Sequence, residues 1–410
     1  MPRPTPLTII LLTLATSPGV LTAARLSTPP PPARGQVLQR ADPRVYDVAL
    51  EVGTPLNAAA SQAPPTVAGG DLLLPVILRS TFSEVDEASL FARLWIGARE
   101  DTSLSSRVRL VGGSPDATSM AVIPIQLNGA GRVTCRIGFR TMAWSSLIDE
   151  QAAARLTWPR HWPEGVQPCL KPSDFVESDD PFFTNAIAHV TGGQLRDVVP
   201  YFAAKDIVRS CIENISVLPN GDDAHGRFGR PRRSEVRGRR SAVDPLRPPA
   251  PSGALATARQ GDGSAHDLVC VCIAMLRAAG LPARAVLGVE KRAHVIEERD
   301  GRVRPIKTET IVSWGEFYLP GAGWIPFDPD AMRSRGLNTR HVREPWPDFG
   351  SITRLNQRVT LCHGFVPPSR GPGAGLRWDA QSLAGRPPIG LRSLEIVSHG
   401  ATTTTPASGR

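Results

Sequence analysis

Lysine is almost missing from this chain. It stands only at 171, 205, 291 and 307, so nearly all of the 47 basic residues are arginine. The formal net charge of +9 and the pI near 9.8 would suit an anionic partner such as nucleic acid, an envelope polymer or a membrane surface. The chain is also rich in alanine, proline and glycine, however. The arginine excess therefore reads as the composition bias of a GC-rich bacterial genome, and nucleic acid is not an expected partner. Aromatic residues make up only 6%. After the first residues no apolar run is long enough to cross a bilayer, so no transmembrane anchor is expected beyond that point. The six cysteines (135, 169, 211, 270, 272 and 362) contain no CxxC pair, and none has metal-site spacing. No metal and no cofactor is expected. Disulfides and buried free thiols both stay open.

What is present begins with an export signal. Arg3 supplies a positive start, Leu7 to Ala15 a short apolar stretch, and Thr22-Ala23-Ala24 the small residues of a cleavage site. Residues 1–24 are thus expected to be a signal peptide, with 25–40 a Pro-rich linker and the mature protein periplasmic or secreted. A length of 410 residues allows more than one core.

Residues 41–155 carry short apolar runs at 45–52, 72–78, 90–97, 107–113, 120–127 and 132–139, separated by Gly, Pro, Ser and Asn. Their length and spacing suit a β-sandwich-like domain, with Asn128-Gly129 as a hairpin turn. A Pro- and Trp-rich crossing follows, where His161 reads as a packing residue. Helical periodicity then takes over, first in PFFTNAIAHV behind Asp180 and then from about Leu195 to Ile212. The stretch 219–250, extended to 257 at its limit, is arginine- and proline-rich without periodicity and reads as a basic inserted loop. Residues 351–366 and 391–398 read as further strands within 336–400, and 401–410 as a disordered tail.

The informative segment is 261–284, GDGSAHDLVCVCIAMLRAAGLPAR. Ser264 and Asp267 form a capping box, Leu268 to Leu276 are apolar almost all round, and Gly280 and Pro282 end the helix. A strand at 284–289 follows, then a hairpin from 310–319 and 324–328. A thiol at the start of such a helix would be favoured as thiolate, with a histidine on an adjacent strand as base and an acid to orient it.

AMLRAAGLPAR (274–284), SWGEFYLPGAGW (313–324) and IPFDPD (325–330) resemble, in order, the transglutaminase-like superfamily with its papain-like fold. The resemblance covers roughly 156–335. It implies an α+β protein: a papain-like transglutaminase core preceded by the N-terminal β-rich domain. It also implies a Cys-His-Asp triad, whose positions fall here on Ala265, Val312 and Asp328. Only Asp328 keeps the family residue. Moving the helix start by two residues puts Gly263 at the nucleophile position. Cys270 and Cys272 lie inside the apolar helix and read as core. His266 could act as a base, but no nucleophile is evident beside it, and Ser264 reads as a cap. His294 is expected in a connection between strands and His363 beyond the core. Glu316, Trp314 and Trp324 are expected to pack or hydrogen-bond at the hairpin.

The resulting expectation is a pseudoenzyme that binds a peptide, protein or wall polymer outside the cytoplasm. The alternative is an active cysteine-dependent peptidase or protein-glutamine amide-transferring enzyme with a rearranged site.

Overall fold

The computed structural model describes residues 36–53, 68–105, 109–112, 119–127, 133–218, 251–297, 303–336, 341–364 and 390–399. The expected leader, most of the linker, the 219–250 stretch and the tail lie outside these residues.

In chain order the elements are β1 (Leu38–Gly53), β2 (Ala68–Val76), β3 (Ser83–Ile96), β4 (Arg99–Glu100), α1 (Thr102–Ser105), β5 (Arg109–Gly112), β6 (Ser119–Leu127), β7 (Val133–Ile148) and α2 (Glu150–Ala153). There follow α3 (Pro181–Thr191), α4 (Pro200–Asn214), β8 (Ser216–Val217), α5 (Ala254–Gln260), β9 (Asp262–Gly263) and α6 (Ala265–Ala278). The chain continues through β10 (Ala283–Glu297), β11 (Val303–Leu319), β12 (Gly323–Phe327), α7 (Pro329–Ser334), β13 (Arg358–His363) and β14 (Gly390–His399). The protein is α+β, as expected. α5 begins inside the stretch assigned to the basic insertion, and β1 begins inside the stretch assigned to the linker.

Four sheets form, ordered β14-β1-β7-β3-β4, β12-β11-β10-β13, β2-β6-β5 and the short parallel pair β8-β9. The expected Asn128-Gly129 turn lies outside the described residues. β6 pairs with β2 and β5, whereas β7 pairs with β1 and β3. A turn dipeptide reports local backbone preference, while pairing is decided by which long strands bury their faces together. β14 returns from the far end of the chain to pair with β1, with Val48 opposite Ile396.

The helices follow their caps. Asp180 accepts from the Phe182 amide at 2.9 Å to start α3, and Gly192 ends it in the left-handed region. α4 starts later than its periodicity suggests. Leu195–Asp197 is a 3-10 turn, and Val199 is extended before Pro200. Proline disfavours a helical residue before it and is well placed at the first helical position, so the helix begins there.

α6 is the central helix. Every residue from Asp267 to Leu276 is buried. It packs on one face of the β12-β11-β10-β13 sheet, sharing a core with Leu287, Val289, Ile311, Phe317, Phe327 and Val359. Fully burying each large apolar side chain contributes about 1.5–3 kcal/mol. The Phe327 ring lies across Gly315, where a Cβ would come within 2.1 Å of it.

The five-stranded sheet is tied to this region by side chains. Tyr46 donates to the Asn356 carbonyl at 2.7 Å, and Asn356 Nδ2 donates to the Asp42 carbonyl at 2.6 Å. Lys205 of α4 is fully buried. It donates to Glu150 of α2 at 2.6 Å and to the Glu344 carbonyl at 3.0 Å, among the rings of Tyr201, Trp346 and Phe349.

Candidate functional site at the start of α6

The capping box expected from sequence forms. Ser264 Oγ accepts from the Asp267 amide at 3.1 Å, and Asp267 Oδ2 accepts from the Ser264 amide at 2.9 Å and its hydroxyl at 2.6 Å. Asp267 Oδ1 also takes the Ser252 amide at 2.6 Å. Ala265 and His266 occupy the first two helical positions and are half-buried.

This helix start meets β11 through a polar contact. His266 Nδ1 lies 2.9 Å from Ser313 Oγ. The residue assigned as the family base position is the neighbour, Val312, opposite Gly288 in the ladder. Side chains alternate along a strand, so Val312 and Ser313 project to opposite faces of the sheet. The packing agrees: Ile311 and Phe317 share the core of α6, whereas the buried Val312 and Trp314 stand outside it. The structure thus brings Ser313, not the Val312 side chain, to the helix start. Sequence reasoning passed over Ser313; its partner is 47 residues away, and no local pattern marks such a pair.

On the other face the retained acid has its own partners. Asp328 caps α7, its Oδ1 accepting from the Ala331 amide at 3.0 Å. Its Oδ2 accepts from Arg358 Nη2 at 2.6 Å, and Arg358 Nε donates to Glu290 at 2.8 Å. All three side chains are at least nine-tenths buried. Burial alone would lower the pKa of the Arg358 guanidinium, but the Asp328 and Glu290 carboxylates outweigh it and hold the charge more firmly than usual. Beside them the Trp314 ring fills the space over Gly288, and the guanidinium lies 5.5 Å from its centre.

The other motif residues are structural, as expected. Arg284 donates to Glu316 at 2.9 Å and stacks 4.0 Å over Trp324. His294 lies within β10, not in a connection, because the β10–β11 hairpin runs further than its apolar core. His363 ends β13 inside the core sheet, buried opposite Val286. His161 is exposed, not packed.

All six cysteines are buried, with no S–S bond among them. Burial raises the Cys270 thiol well above its usual pKa. It does the same to Cys272, reinforced by the neighbouring Cys211 thiol, and pushes Cys135 and Cys362 up to about 12. In these four, apolar burial disfavours the thiolate. Among the described residues no group of His, Cys, Asp and Glu could hold a metal ion. No described helix is long and apolar enough to cross a membrane.

Comparison with known proteins bears on this segment of the chain. Residues 232–329 match the transglutaminase-like superfamily. No curated protein matches the sequence. Among solved structures, a proposed cysteine protease from Cytophaga hutchinsonii aligns over 88% of this chain and 92% of its own, at 13% identity and a TM-score of 0.47. The periplasmic domain of TgpA from Pseudomonas aeruginosa, bound to ethylmercury, aligns over 75% and 95%, at 14% identity and a TM-score of 0.30. A proposed protease from Parabacteroides distasonis aligns over 68% and 63%, at 10% identity and a TM-score of 0.21.

Proposed function

We propose that this chain is an exported, periplasmic or secreted protein whose transglutaminase-like core binds a peptide, a protein or a wall polymer and performs no thiol-dependent amide chemistry. The observation that supports this most is the pairing of Asp328. In a thiol enzyme of this design the acid orients the imidazole that activates the nucleophile. Here one carboxylate oxygen caps α7 and the other is held by Arg358. The proposed nucleophile and base positions, Ala265 and Val312, have side chains with no proton-accepting atom. Cys270 and Cys272 cannot stand in, because they are wholly buried and their thiols are held protonated.

Binding is proposed to use the half-buried start of α6 around Ala265. The test is co-sedimentation of the purified protein with peptidoglycan sacculi, together with a peptide array, using Ala265→Arg as the blocked variant. Retention by one ligand class that Ala265→Arg abolishes would support the reading. Equal retention of both proteins would place binding elsewhere and contradict it.

A further inference from the structure

We infer that Ser313 and His266 form a serine acyl-transfer pair at the start of α6, acting on carboxylic esters. The inference goes beyond the binding reading. It gives the helix start a reaction of its own, independent of the thiol chemistry and of Asp328.

The geometry is that of a nucleophile and its base. Ser313 Oγ and His266 Nδ1 are 2.9 Å apart, within the reach over which a histidine accepts a hydroxyl proton. Both residues are half-buried, not sealed in the core like the cysteines. The other nearby hydroxyl, Ser264, is committed to the capping box as both donor and acceptor. That box also engages the amides of Ser264 and Asp267. The Ala265 amide, at the first helical position, has no acceptor within its own helix and would serve as the oxyanion donor of the pair.

The reaction balances without a further reagent except water. Ser313 Oγ bonds to the ester carbonyl carbon while its proton passes to Nδ1 of neutral His266, and the carbonyl oxygen takes the electron pair of the broken π bond. The tetrahedral adduct collapses, the C–O bond to the leaving alcohol breaks, and the imidazolium returns the proton to that oxygen. Water then attacks the acyl-serine by the same route, releasing the acid and restoring the serine. An ester is the fitting class because an alkoxide departs with less protonation than an amide nitrogen needs. A two-residue pair therefore suffices.

The test is labelling of the purified full chain with a fluorophosphonate, read by intact mass and peptide mapping. The expected result is one adduct, mapped to Ser313. Ser313→Ala should lose it. His266→Gln, melting like the wild type, should label at least about tenfold more slowly, since a positioned base contributes about 10²–10⁴ in rate. Hydrolysis of p-nitrophenyl butyrate should fall by the same factor. Mapping on the unmodified protein decides the matter even if a variant misfolds. No adduct, an adduct on another residue, or undiminished labelling of His266→Gln would overturn the inference. Loss of the serine adduct with sacculus or peptide binding intact would refute this pair alone; labelling of a cysteine by a thiol probe would refute the binding reading alone.

Discussion

Arg358 and Asp328 lie 30 residues apart in the chain and meet inside the protein, Nη2 to Oδ2 at 2.6 Å. This pair gives the one retained member of the proposed triad a buried cation partner. Asp328 joins the end of β12 to the start of α7, and Arg358 carries the connection on to Glu290 of β10. A catalytic acid that had merely lost its histidine would leave an unpaired carboxylate, and burying one is costly. Here the Asp328 carboxylate has a cation partner in Arg358.

A stability measurement separates the two roles. Asp328→Asn should lower unfolding free energy by about 3–5 kcal/mol, the cost of breaking a buried ion pair. Arg358→Met should cost at least as much, since it leaves Asp328 and Glu290 buried without their common cation. Replacing all three by apolar residues of similar volume should cost far less than either single change. Urea denaturation of the four proteins checks this. An Asp328→Asn protein as stable as the wild type would mean that the carboxylate is not a structural member of the network.

The Lys205 contact gives an asymmetric prediction of the same kind. Its ammonium is fully buried, and burial lowers its pKa despite the opposing pull of Glu150. Glu150→Ala strands that charge among the rings of Tyr201, Trp346 and Phe349 and should cost about 3–5 kcal/mol. Lys205→Met leaves Glu150 without its cation but 16% exposed and still accepting from Tyr201, and should cost less, about 1–3 kcal/mol. Thermal melts at equal protein concentration would show the difference, and equal losses would contradict it.

These relationships mark the limit of what could be read from the chain. The Ser264–Asp267 box, the apolar run of α6 and the Asp180 cap are contacts within one turn, and they stood in the sequence as they stand in the structure. The strand runs before 150 were legible for the same reason, because alternation and turn residues are local. Partners were not. Nothing near Val133 says that β7 joins β1 rather than β6, and nothing near Ile396 says that β14 returns to Val48. The site suffered most, since Ser313 and Arg358 matter only through His266 and Asp328, which folding brings to them from afar. His363 and His294 were misplaced because strand ends depend on a partner's length, not on the strand's own residues.

Alkaline conditions should weaken the fold in a defined window. The thiols of Cys135 and Cys362 are pushed from 9.0 to about 12 by burial. Between these values the unfolded chain loses protons that the native state keeps, so stability falls as pH rises. One unit above the unfolded pKa, each of these thiols removes about 1.4 kcal/mol. Unfolding free energies measured from pH 8 to pH 11 should decline, and Cys135→Ala should flatten the slope. A stability constant over that range would contradict the burial of these thiols.

Rebuilding the proposed triad should fail while Arg358 holds its acid. Ala265→Cys with Val312→His places a thiol at the helix start and an imidazole on the opposite sheet face, beside Trp314. The double variant should release no ammonia from a glutamine peptide with an amine acceptor. Clear turnover by it would show that the two faces communicate and that Asp328 can be recruited.

The most direct measurement is made on the unmodified protein. The purified protein is incubated with a thiol-directed active-site probe and, separately, with a glutamine peptide and an amine acceptor, following intact mass and ammonia release. The account predicts no thiol adduct in the native state and no ammonia above the uncatalysed rate. Turnover that disappears in Cys270→Ala or Cys272→Ala would contradict it, because it would show a buried cysteine acting as nucleophile.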